Sequence, residues 1–386
     1  MALLRSNKKI FCAVTSSRAE YGILRNLLLE LKNNSSIAMK LIVTGSHLSK
    51  KHGFTIKEIV KSNLNIYKKI PTIYRNDEPD DISKSASIIL KKLSNIFSYL
   101  KPDLLIVLGD RYEILITAFV ATLHKIPIAH ISGGEITEGS YDNQFRHSIS
   151  KMSFLHFVSN YIYKKKLILM GENSKNIFNF GNISLDNLKR EVFISKEKIE
   201  KKFNIKFSKT NFLVTYHPET LSEKSSKIHF KEILKAISKF KKYNFIFTSS
   251  NSDEKGNIIN SMIVKYVKKR KNAFYVKSFG QTYYFSVLKN VDGVIGNSSS
   301  GITEAPSFKI GTINIGDRQK GRIKCESIID TPSENKKIYN LIKKIIDKKF
   351  KKKINKIINP FEKQNTIKNI KKVLCNIKLN QNFKKL

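Results

Sequence analysis

The sequence predicts an α/β protein of two Rossmann-like, doubly wound domains that face a central cleft. Short apolar segments rich in Ile, Leu and Val alternate with amphipathic segments of helical period along most of the chain. The apolar segments are continuous rather than alternating, which is typical of strands covered on both faces of a parallel sheet. A length of 386 residues also suits two domains better than one.

The first domain is predicted over residues 1–183 as a series of strand–helix units. Strand Lys9–Val14 leads into a helix whose Ile and Leu side chains recur on one face. Strand Asp103–Leu108 is a run of Leu, Ile and Val of the buried type. The other predicted elements are strand Met39–Val43, helix Ile88–Leu100, helix Ile114–Leu123, strand Ile126–Ile131, helix Asp142–Met152, strand Leu155–Val158 and strand Ile177–Phe180.

The same alternation restarts after Gly181–Lys189, so the second domain is predicted over residues 184–360. Residues 361–386 are predicted as a C-terminal helix and a Lys-rich tail, and we expect the helix around Ile367–Ile377 to pack on the first domain. The elements predicted in the second domain are strand Phe212–Tyr216, helix Ile228–Phe240, strand Asn244–Thr248, helix Ile258–Val267, strand Ala273–Val276, helix Thr282–Leu288, strand Gly293–Ile295, helix Ile302–Phe308 and strand Thr312–Ile315.

The net charge of +40 comes mostly from lysine, since only ten of the 71 basic residues are arginines. The lysines are spread over the whole chain, are not interleaved with stacking aromatics, and accompany no RRM, KH or helix-turn-helix signature. We therefore interpret the charge as a solvated basic surface and expect no specific nucleic-acid partner. A basic nucleic-acid-binding protein stays open as the alternative from a different class, and its binding would depend steeply on salt.

Several kinds of site are excluded by motifs that the sequence lacks. Cys12, Cys325 and Cys375 are widely spaced and form no CxxC pair, which suits a reducing compartment. Without a GxGxxG after the first strand, a Walker lysine or an HExxH, we expect neither a cofactor nor a metal. His130 and Glu135 come nearest to a ligand pair, and we interpret His130 as structural. No apolar run reaches the ~18–20 residues of a membrane span, so we expect no membrane span and a cytoplasmic location.

Five polar clusters directly follow predicted strands, at the carboxyl ends where ligands bind in doubly wound sheets. The first cluster opens a helix, whose free N–H groups and dipole favour an anion. Half of the arginines lie in these clusters or in the polar motifs around them, although lysine is the usual cation of this chain, which indicates a need for the bidentate guanidinium. The clusters are Ser16–Glu20, Gly109–Glu113, Ser132–Glu135, Tyr216–Glu219 and Gly296–Gly301, and the arginines are Arg18, Arg111, Arg146, Arg318 and Arg322.

The motifs in and around these clusters are TSSRAEYGIL (15–24), VTGSHLSKKHG (43–53), LGDRYEI (108–114), HISGGE (130–135), YDNQFRHSISKMS (141–153), YHPETLS (216–222), GNSSSGITEAPS (296–307) and INIGDRQKGR (313–322). In this order they resemble the UDP-N-acetylglucosamine 2-epimerases, and specifically the hydrolysing branch of the sialic-acid pathway. GDR at 109–111, GGE at 133–135 and DRQKGR at 317–322 favour this branch over the reversible one.

The resemblance implies a GT-B fold and a reaction without metal or redox cofactor. UDP-N-acetylglucosamine and water would give N-acetylmannosamine and UDP, through elimination to 2-acetamidoglucal and then hydration. It also implies that the partner is a small nucleotide sugar, and we expect a homo-oligomer, either a dimer or a tetramer. A hydrolysing epimerase of another nucleotide sugar, UDP-diacetamido-bacillosamine or a GDP-linked analogue, stays open, as does a GT-B glycosyltransferase that would need an acceptor.

The resemblance also assigns residues motif by motif. The catalytic set would be Asp110, Glu135, Asp142 and His217. Where some relatives have a second carboxylate beside the aspartate, this chain has Asn143, so Asp142 is the only carboxylate at that place. Arg18, Ser299 and Ser300 would contact the diphosphate, and Glu304 would contact the ribose hydroxyls. The other expected substrate contacts are Arg111, Arg146, His147, Asn297, Ser298, Gly301, Arg318 and Arg322.

Overall fold

The structure, a computed structural model, describes residues 8–50, 53–72, 78–219, 226–250 and 256–377. Parts of two motifs, 51–52 and 220–222, and the last part of the Lys-rich tail, 378–386, lie outside the described residues. The chain forms two compact units. Unit 1 contains the residues up to Glu135, Asp142–Asn187 and the residues from Lys363 onward, and unit 2 contains Ile136–Tyr141 and Leu188–Glu362.

Unit 1 begins with strands and helices in strict alternation. Each strand is short and apolar, and most of the helices bury one apolar stripe, as in α1, where Ser17 and Glu20 also form a capping box. In chain order the elements are β1 (Lys9–Thr15), α1 (Arg18–Lys32), β2 (Ile37–Thr44), α2 (Ile56–Lys61), β3 (Ile66–Ile70), α3 (Pro79–Leu100), β4 (Leu104–Leu108), α4 (Tyr112–Leu123), β5 (Ile128–Ile131), α5 (Asp142–Lys151), β6 (Leu155–Val158), α6 (Tyr161–Leu169), β7 (Ile177–Asn179) and α7 (Ile183–Arg190).

Unit 2 repeats the scheme around a second sheet. Its elements are α8 (Lys196–Phe203), β8 (Asn211–Thr215), α9 (Ser226–Ile237), β9 (Asn244–Thr248), α10 (Gly256–Val267), β10 (Ala273–Val276), α11 (Gln281–Leu288), β11 (Gly293–Gly296), α12 (Ser300–Thr303), β12 (Gly311–Ile315), β13 (Ile328–Thr331), α13 (Asn335–Ile345) and α14 (Lys348–Ile354). The last helix, α15 (Thr366–Asn376), belongs to unit 1, where Ile367, Ile370 and Leu374 share a core with the leucines of α1.

Both sheets are parallel throughout their described pairings. The strand order is β3-β2-β1-β4-β5-β6-β7 in unit 1 and β10-β9-β8-β11-β12-β13 in unit 2. In each sheet the chain reverses its winding direction beside the first strand, β1 or β8. Loops that follow neighbouring strands at this point open a crevice where doubly wound proteins bind ligands.

The structure departs from the predicted elements at the edges of the sheets. The edge strands β3 and β13 were not predicted, because exposed polar residues, Lys68 and Lys69 in β3 and Asp330 in β13, interrupt their apolar runs. The predicted helix Ile302–Phe308 is instead the short α12 followed by a 3₁₀ turn over Ala305–Phe308. The reason is Pro306, which has no N–H to continue an α-helix.

The units also divide at other points than the predicted boundaries of 183/184 and 360/361. The observed divisions follow Asn187 and Glu362, and unit 2 takes in Ile136–Tyr141, a segment that lies between two predicted catalytic carboxylates. This segment joins unit 2 because its backbone bonds there: Glu138 N–H donates to the Lys320 carbonyl at 3.2 Å. Within the described ranges, no helix is long and apolar enough to cross a bilayer.

Candidate active site

A buried arginine in unit 1 joins the carboxylate of Asp110 to the backbone carbonyl of Glu135. Arg146 lies on α5 with 3% of its surface exposed. Its Nη1 donates to the Glu135 carbonyl at 2.8 Å, and its Nη2 donates to the carboxylate of Asp110, whose side chain is 22% exposed. The planar guanidinium therefore fixes the loops after β4 and β5 to one helix.

The carboxyl groups near Arg146 differ in their surroundings. Glu135 is buried, and its Oε1 accepts a hydrogen bond from Ser159 Oγ at 3.0 Å. Asp142, the first residue of α5, is partly exposed and one helical turn from Arg146. A buried carboxyl and two partly exposed ones give this region groups that can both accept and return a proton.

Arg18 and His147 lie at two helices of the same unit. Arg18 is the first residue of α1 and is partly exposed, so it lies at the anion-favouring end of a helix. His147 follows Arg146 on α5 and is half-buried. Burial, with the charges of Arg146 and Lys166, lowers the pKa of His147, so its imidazole is neutral at pH 7.

Arg111, predicted as a substrate contact, lies against two buried glutamates that the sequence analysis did not single out. Its Nε is 3.1 Å from Glu113 Oε2 and 3.9 Å from Glu20 Oε1. Glu20 in turn accepts hydrogen bonds from the N–H groups of Ser16 at 2.8 Å and Ser17 at 3.3 Å. The cluster therefore holds the loop before Arg18, and the Ser-x-x-Glu spacing of a capping box was the signal that could have revealed it.

Burial raises the pKa of Glu20 to about 7; the charge of Arg111 opposes this rise and Glu113 adds to it. The folded protein therefore binds this proton more tightly than the unfolded chain, and Glu20 lowers the free energy of unfolding as pH rises from about 4.5 to about 7. The loss is on the order of 3 kcal/mol. Burial lowers the pKa values of the buried histidines His47 and His130 to about 3. These two groups therefore raise the free energy of unfolding as pH rises toward 6.5.

Because both proteins contain the histidines, a comparison of the wild type with Glu20→Gln separates the effect of Glu20 on stability from theirs. We expect the stability of the wild type relative to the variant to fall between pH 4.5 and 7 and to stay level outside that window. Urea unfolding across the pH range measures it, and parallel curves for the two proteins would show that Glu20 does not titrate in this way.

In unit 2, Asn297 was predicted to contact substrate, but its side chain is fully buried and bound to the backbone of His217. Asn297 Oδ1 accepts from the His217 N–H at 2.7 Å, and Asn297 Nδ2 donates to the His217 carbonyl at 2.8 Å. Gln319 Nε2 donates to the Asn297 carbonyl at 2.8 Å. The three residues connect the ends of β8, β11 and β12, and Asn297 fixes the backbone of His217.

The serine loop after β11 has one exposed and two partly exposed hydroxyls. Ser299 is exposed, Ser298 and Ser300 are partly exposed, and Ser300 Oγ pairs with the Tyr284 hydroxyl. Gly301 is required for packing, since a Cβ there would lie 2.8 Å from the Thr312 side chain. Three successive hydroxyls that are at least partly exposed at a strand end suit an anionic ligand.

Glu304 and the arginine loop complete the predicted residues of unit 2. Glu304 is buried and accepts a hydrogen bond from Thr303 Oγ. The loop of Arg318 and Arg322 is held by Glu219, whose Oε1 accepts from the Asp317 N–H at 3.2 Å; burial raises the pKa of Glu219. Glu219 was another position that the sequence analysis did not single out.

The structure thus places the predicted residues in two sets, one on each unit, at the carboxyl ends of parallel strands. Unit 1 offers carboxyl groups and arginines suited to proton transfer, and unit 2 offers hydroxyls, arginines and a histidine suited to an anion. Two Rossmann-like units with such loops define an enzyme of the nucleotide-sugar class. The sets are Arg18, Asp110, Arg111, Glu135, Asp142, Arg146 and His147 in unit 1, and His217, Asn297, Ser298, Ser299, Ser300, Gly301, Glu304, Arg318 and Arg322 in unit 2.

Comparison with known proteins agrees with this class. Residues 29–375 match the UDP-N-acetylglucosamine 2-epimerase family. The chain is 43% identical over 346 residues to the GDP/UDP-N,N'-diacetylbacillosamine 2-epimerase (hydrolyzing) of Campylobacter jejuni subsp. jejuni, with 89% of each protein covered. It is 41% identical over 362 residues to the polysialic acid biosynthesis protein P7 of Escherichia coli, covering 94% of this chain and 92% of that protein.

A solved structure shares the fold. The UDP-GlcNAc 2-epimerase from Neisseria meningitidis bound to UDP-GlcNAc superposes with a TM-score of 0.79 at 18% identity, covering 96% of this chain and all of that one. The chain therefore belongs to the UDP-N-acetylglucosamine 2-epimerase family, and it is a hydrolysing nucleotide-sugar 2-epimerase. The predicted fold class and enzyme class are confirmed, while the sialic-acid branch stays a prediction.

Proposed function

We propose that the substrate is UDP-N,N'-diacetylbacillosamine, which the enzyme hydrolyses to UDP and the 2-epimer of the free diacetamido sugar. The observation that supports it is the 43% identity, over 89% of both chains, to a hydrolysing epimerase named for this sugar. The preferred expectation from the sequence was UDP-N-acetylglucosamine, and this relative supports the alternative instead. The 41% relative named for polysialic acid biosynthesis keeps UDP-N-acetylglucosamine as the second candidate.

The carboxyl groups of unit 1 account for both steps. One ionised carboxylate removes the C2 proton while the C1–O bond breaks, so that UDP leaves with its electron pair and a 2-acetamido glycal forms. A protonated carboxyl then returns a proton to the opposite face of C2. Water adds its oxygen to C1 and gives up its proton to a carboxylate. Asp110, Glu135 and Asp142 are the groups proposed for these transfers.

The loops of unit 2 are the proposed UDP site. Negative charge on the diphosphate grows as the C1–O bond breaks, and hydroxyls, arginines and a positioned His217 would stabilise it. The backbone of His217 is fixed by two hydrogen bonds with the Asn297 side chain, which reduces the cost of orienting this residue. Glu304 is the proposed contact of the ribose hydroxyls, and Arg18 of unit 1 is proposed to contact the diphosphate.

We also propose that the enzyme is cytoplasmic and works as a homo-oligomer. Its nucleotide-sugar class suits the cytoplasm, and α4 is apolar on nearly all sides while it exposes 44% of Phe119 and 65% of Leu123. A helix of that kind is normally buried, so a second copy of the chain would cover this face. Sedimentation equilibrium of the full chain tests the oligomer, and a monomer at micromolar concentration would contradict it.

The substrate is decided by parallel assays of the purified full chain. UDP-N,N'-diacetylbacillosamine, its GDP analogue and UDP-N-acetylglucosamine are each supplied with water and no acceptor, and nucleotide release is followed while NMR identifies the free sugar. Since a polar pocket discriminates strongly by the groups it bonds, we expect kcat/KM for the diacetamido sugar to exceed that for UDP-N-acetylglucosamine by at least ~100-fold. Preference for UDP-N-acetylglucosamine would contradict the proposal, and a need for an acceptor would indicate a glycosyltransferase.

A further inference from the structure

We propose that His130 is a positioning residue for this reaction, because one buried imidazole contacts the supports of all three proposed carboxylates. It bonds the loop that leads to Asp110 and the helix that begins at Asp142, and the loop that leads to Glu135 packs against it. The inference rests on the proposed function of those carboxylates. His130 itself lies on β5, an interior strand of the unit 1 sheet, and is completely buried.

The first contact of the imidazole fixes the peptide before Asp110. His130 Nε2 lies 2.8 Å from the carbonyl of Gly109. Because a carbonyl can only accept, Nε2 carries the proton and donates it there. The N–H of Gly109 donates to the Ile131 carbonyl at 3.1 Å, so two successive residues of β5 hold both sides of this glycine. Gly109 has a φ of +82°, a conformation that leaves the following Asp110 dependent on this support.

The second contact reaches α5. With its proton on Nε2, the imidazole has an acceptor at Nδ1. Ser150 Oγ lies 3.1 Å from Nδ1 and 3.0 Å from the Arg146 carbonyl, so its single hydroxyl proton is shared between these two acceptors. Ser150 is fully buried on the last turns of α5. The same helix begins with Asp142 and carries Arg146, which bonds Asp110 and the Glu135 carbonyl. The imidazole thus contacts both the loop after β4 and helix α5. Arg146 of the same helix bonds Asp110 in that loop.

The third contact is the glycine loop before Glu135. A Cβ on Gly133 would lie 2.9 Å from His130 Nδ1 and 2.8 Å from Ser150 Oγ. The backbone of this loop therefore passes directly against the His–Ser pair, and only glycine leaves enough room. Gly133 is two residues before Glu135, so the path of the loop toward that carboxylate depends on the same pair.

The imidazole holds these elements as a neutral group. Burial lowers the pKa of His130 to about 3, the Gly109 bond opposes this, and the neighbouring His156 and His147 add to it. Both ring nitrogens are engaged by Gly109 and Ser150, and the side chain has no exposed surface. A neutral, fully bonded and buried imidazole positions other groups rather than carrying protons for the substrate.

The test compares three substitutions of His130 in the full chain. His130→Phe keeps the volume and removes both hydrogen bonds, and His130→Asn keeps a polar group but cannot reach Gly109. His130→Gln places an amide N–H near the position of Nε2. Since misplacing reacting groups by about 1 Å costs up to ~100-fold, we expect Phe and Asn to lower kcat by ~10–100-fold and Gln to recover most of it. UDP affinity should stay within about twofold, because the proposed UDP loops belong to unit 2.

His156→Gln is the matched control. His156 lies opposite His130 in the β5–β6 register and is equally buried, but its Nε2 pairs with Glu172 at 3.3 Å. We expect this variant to lose stability and keep kcat. If His130→Phe does not fold, Gly133→Ala serves instead, because its Cβ would displace the His–Ser pair and should lower kcat at unchanged UDP affinity.

Three outcomes would overturn the inference while the wild type stays active. They are a wild-type kcat in folded His130→Phe or Gly133→Ala, equal loss of kcat in His156→Gln, and no advantage of Gln over Asn at position 130. The proposed function fails separately, if the wild-type enzyme itself releases no UDP from any of the nucleotide sugars.

Discussion

Glu135→Gln, Asp110→Asn and Asp142→Asn are each expected to lower kcat by at least ~100-fold, the effect typical of a positioned acid or base. Each amide keeps the size of the carboxyl group but can neither take nor return the C2 proton. UDP should bind each variant with nearly wild-type affinity, because the proposed UDP loops belong to unit 2. Calorimetric titration with UDP and a thermal unfolding curve for each variant provide the control for folding.

The products of the slow variants separate the two steps. A variant blocked in hydration should release free 2-acetamido glycal with UDP, whereas one blocked in elimination should release neither. We expect Asp142→Asn to leak the glycal, since Asp142 is the only carboxylate at the start of its helix. Reaction of the wild type in heavy water should place deuterium at C2. Wild-type rates in all three variants, or a retained C2 proton in heavy water, would refute this mechanism.

Arg146→Lys is expected to lower kcat by ~10–100-fold, although the charge is kept. The guanidinium donates to both Asp110 and the Glu135 carbonyl, and a single ammonium cannot reproduce that planar pair of bonds. Loss of one charge-assisted hydrogen bond costs about 1.5–3 kcal/mol, and each 1.36 kcal/mol is about tenfold in rate. Arg270→Lys, which alters an arginine stacked on Tyr266 in unit 2, is the matched control and should leave kcat unchanged.

A double variant tests whether Arg146 acts through Asp110. If it does, Asp110→Asn combined with Arg146→Lys should be little slower than Asp110→Asn alone, because both changes remove the same interaction. Fully multiplicative losses would show that Arg146 acts independently of Asp110, for example by direct contact with the substrate. Steady-state kinetics of the four proteins, with UDP titration as the folding control, completes the cycle.

The sequence predicted the positions of the strands that are buried on both faces. Such strands are continuous apolar runs, and β1, β4 and β8 lie within a residue of the predicted ranges. Of the four edge strands, β7 and β10 were predicted, whereas β3 and β13 were missed because exposed polar residues interrupt their apolar runs. The sequence around Ile136–Tyr141 also did not indicate that this segment belongs to unit 2. The assignment depends on a backbone contact with a loop near residue 320, which is far away in the sequence.

For the site, the amino-acid sequence by itself determined which side chains follow the strand ends, because strand periodicity and loop composition are local properties of the chain. It also determined the family, because the order of the motifs is contained in the sequence. Only the tertiary structure decided which partners these side chains take. Arg146 bonds Asp110 across 36 positions and Asn297 bonds His217 across 80, and Glu20 meets Arg111 only because β1 pairs with β4. Pairings over such separations follow from strand order and packing, which no local pattern of residues encodes.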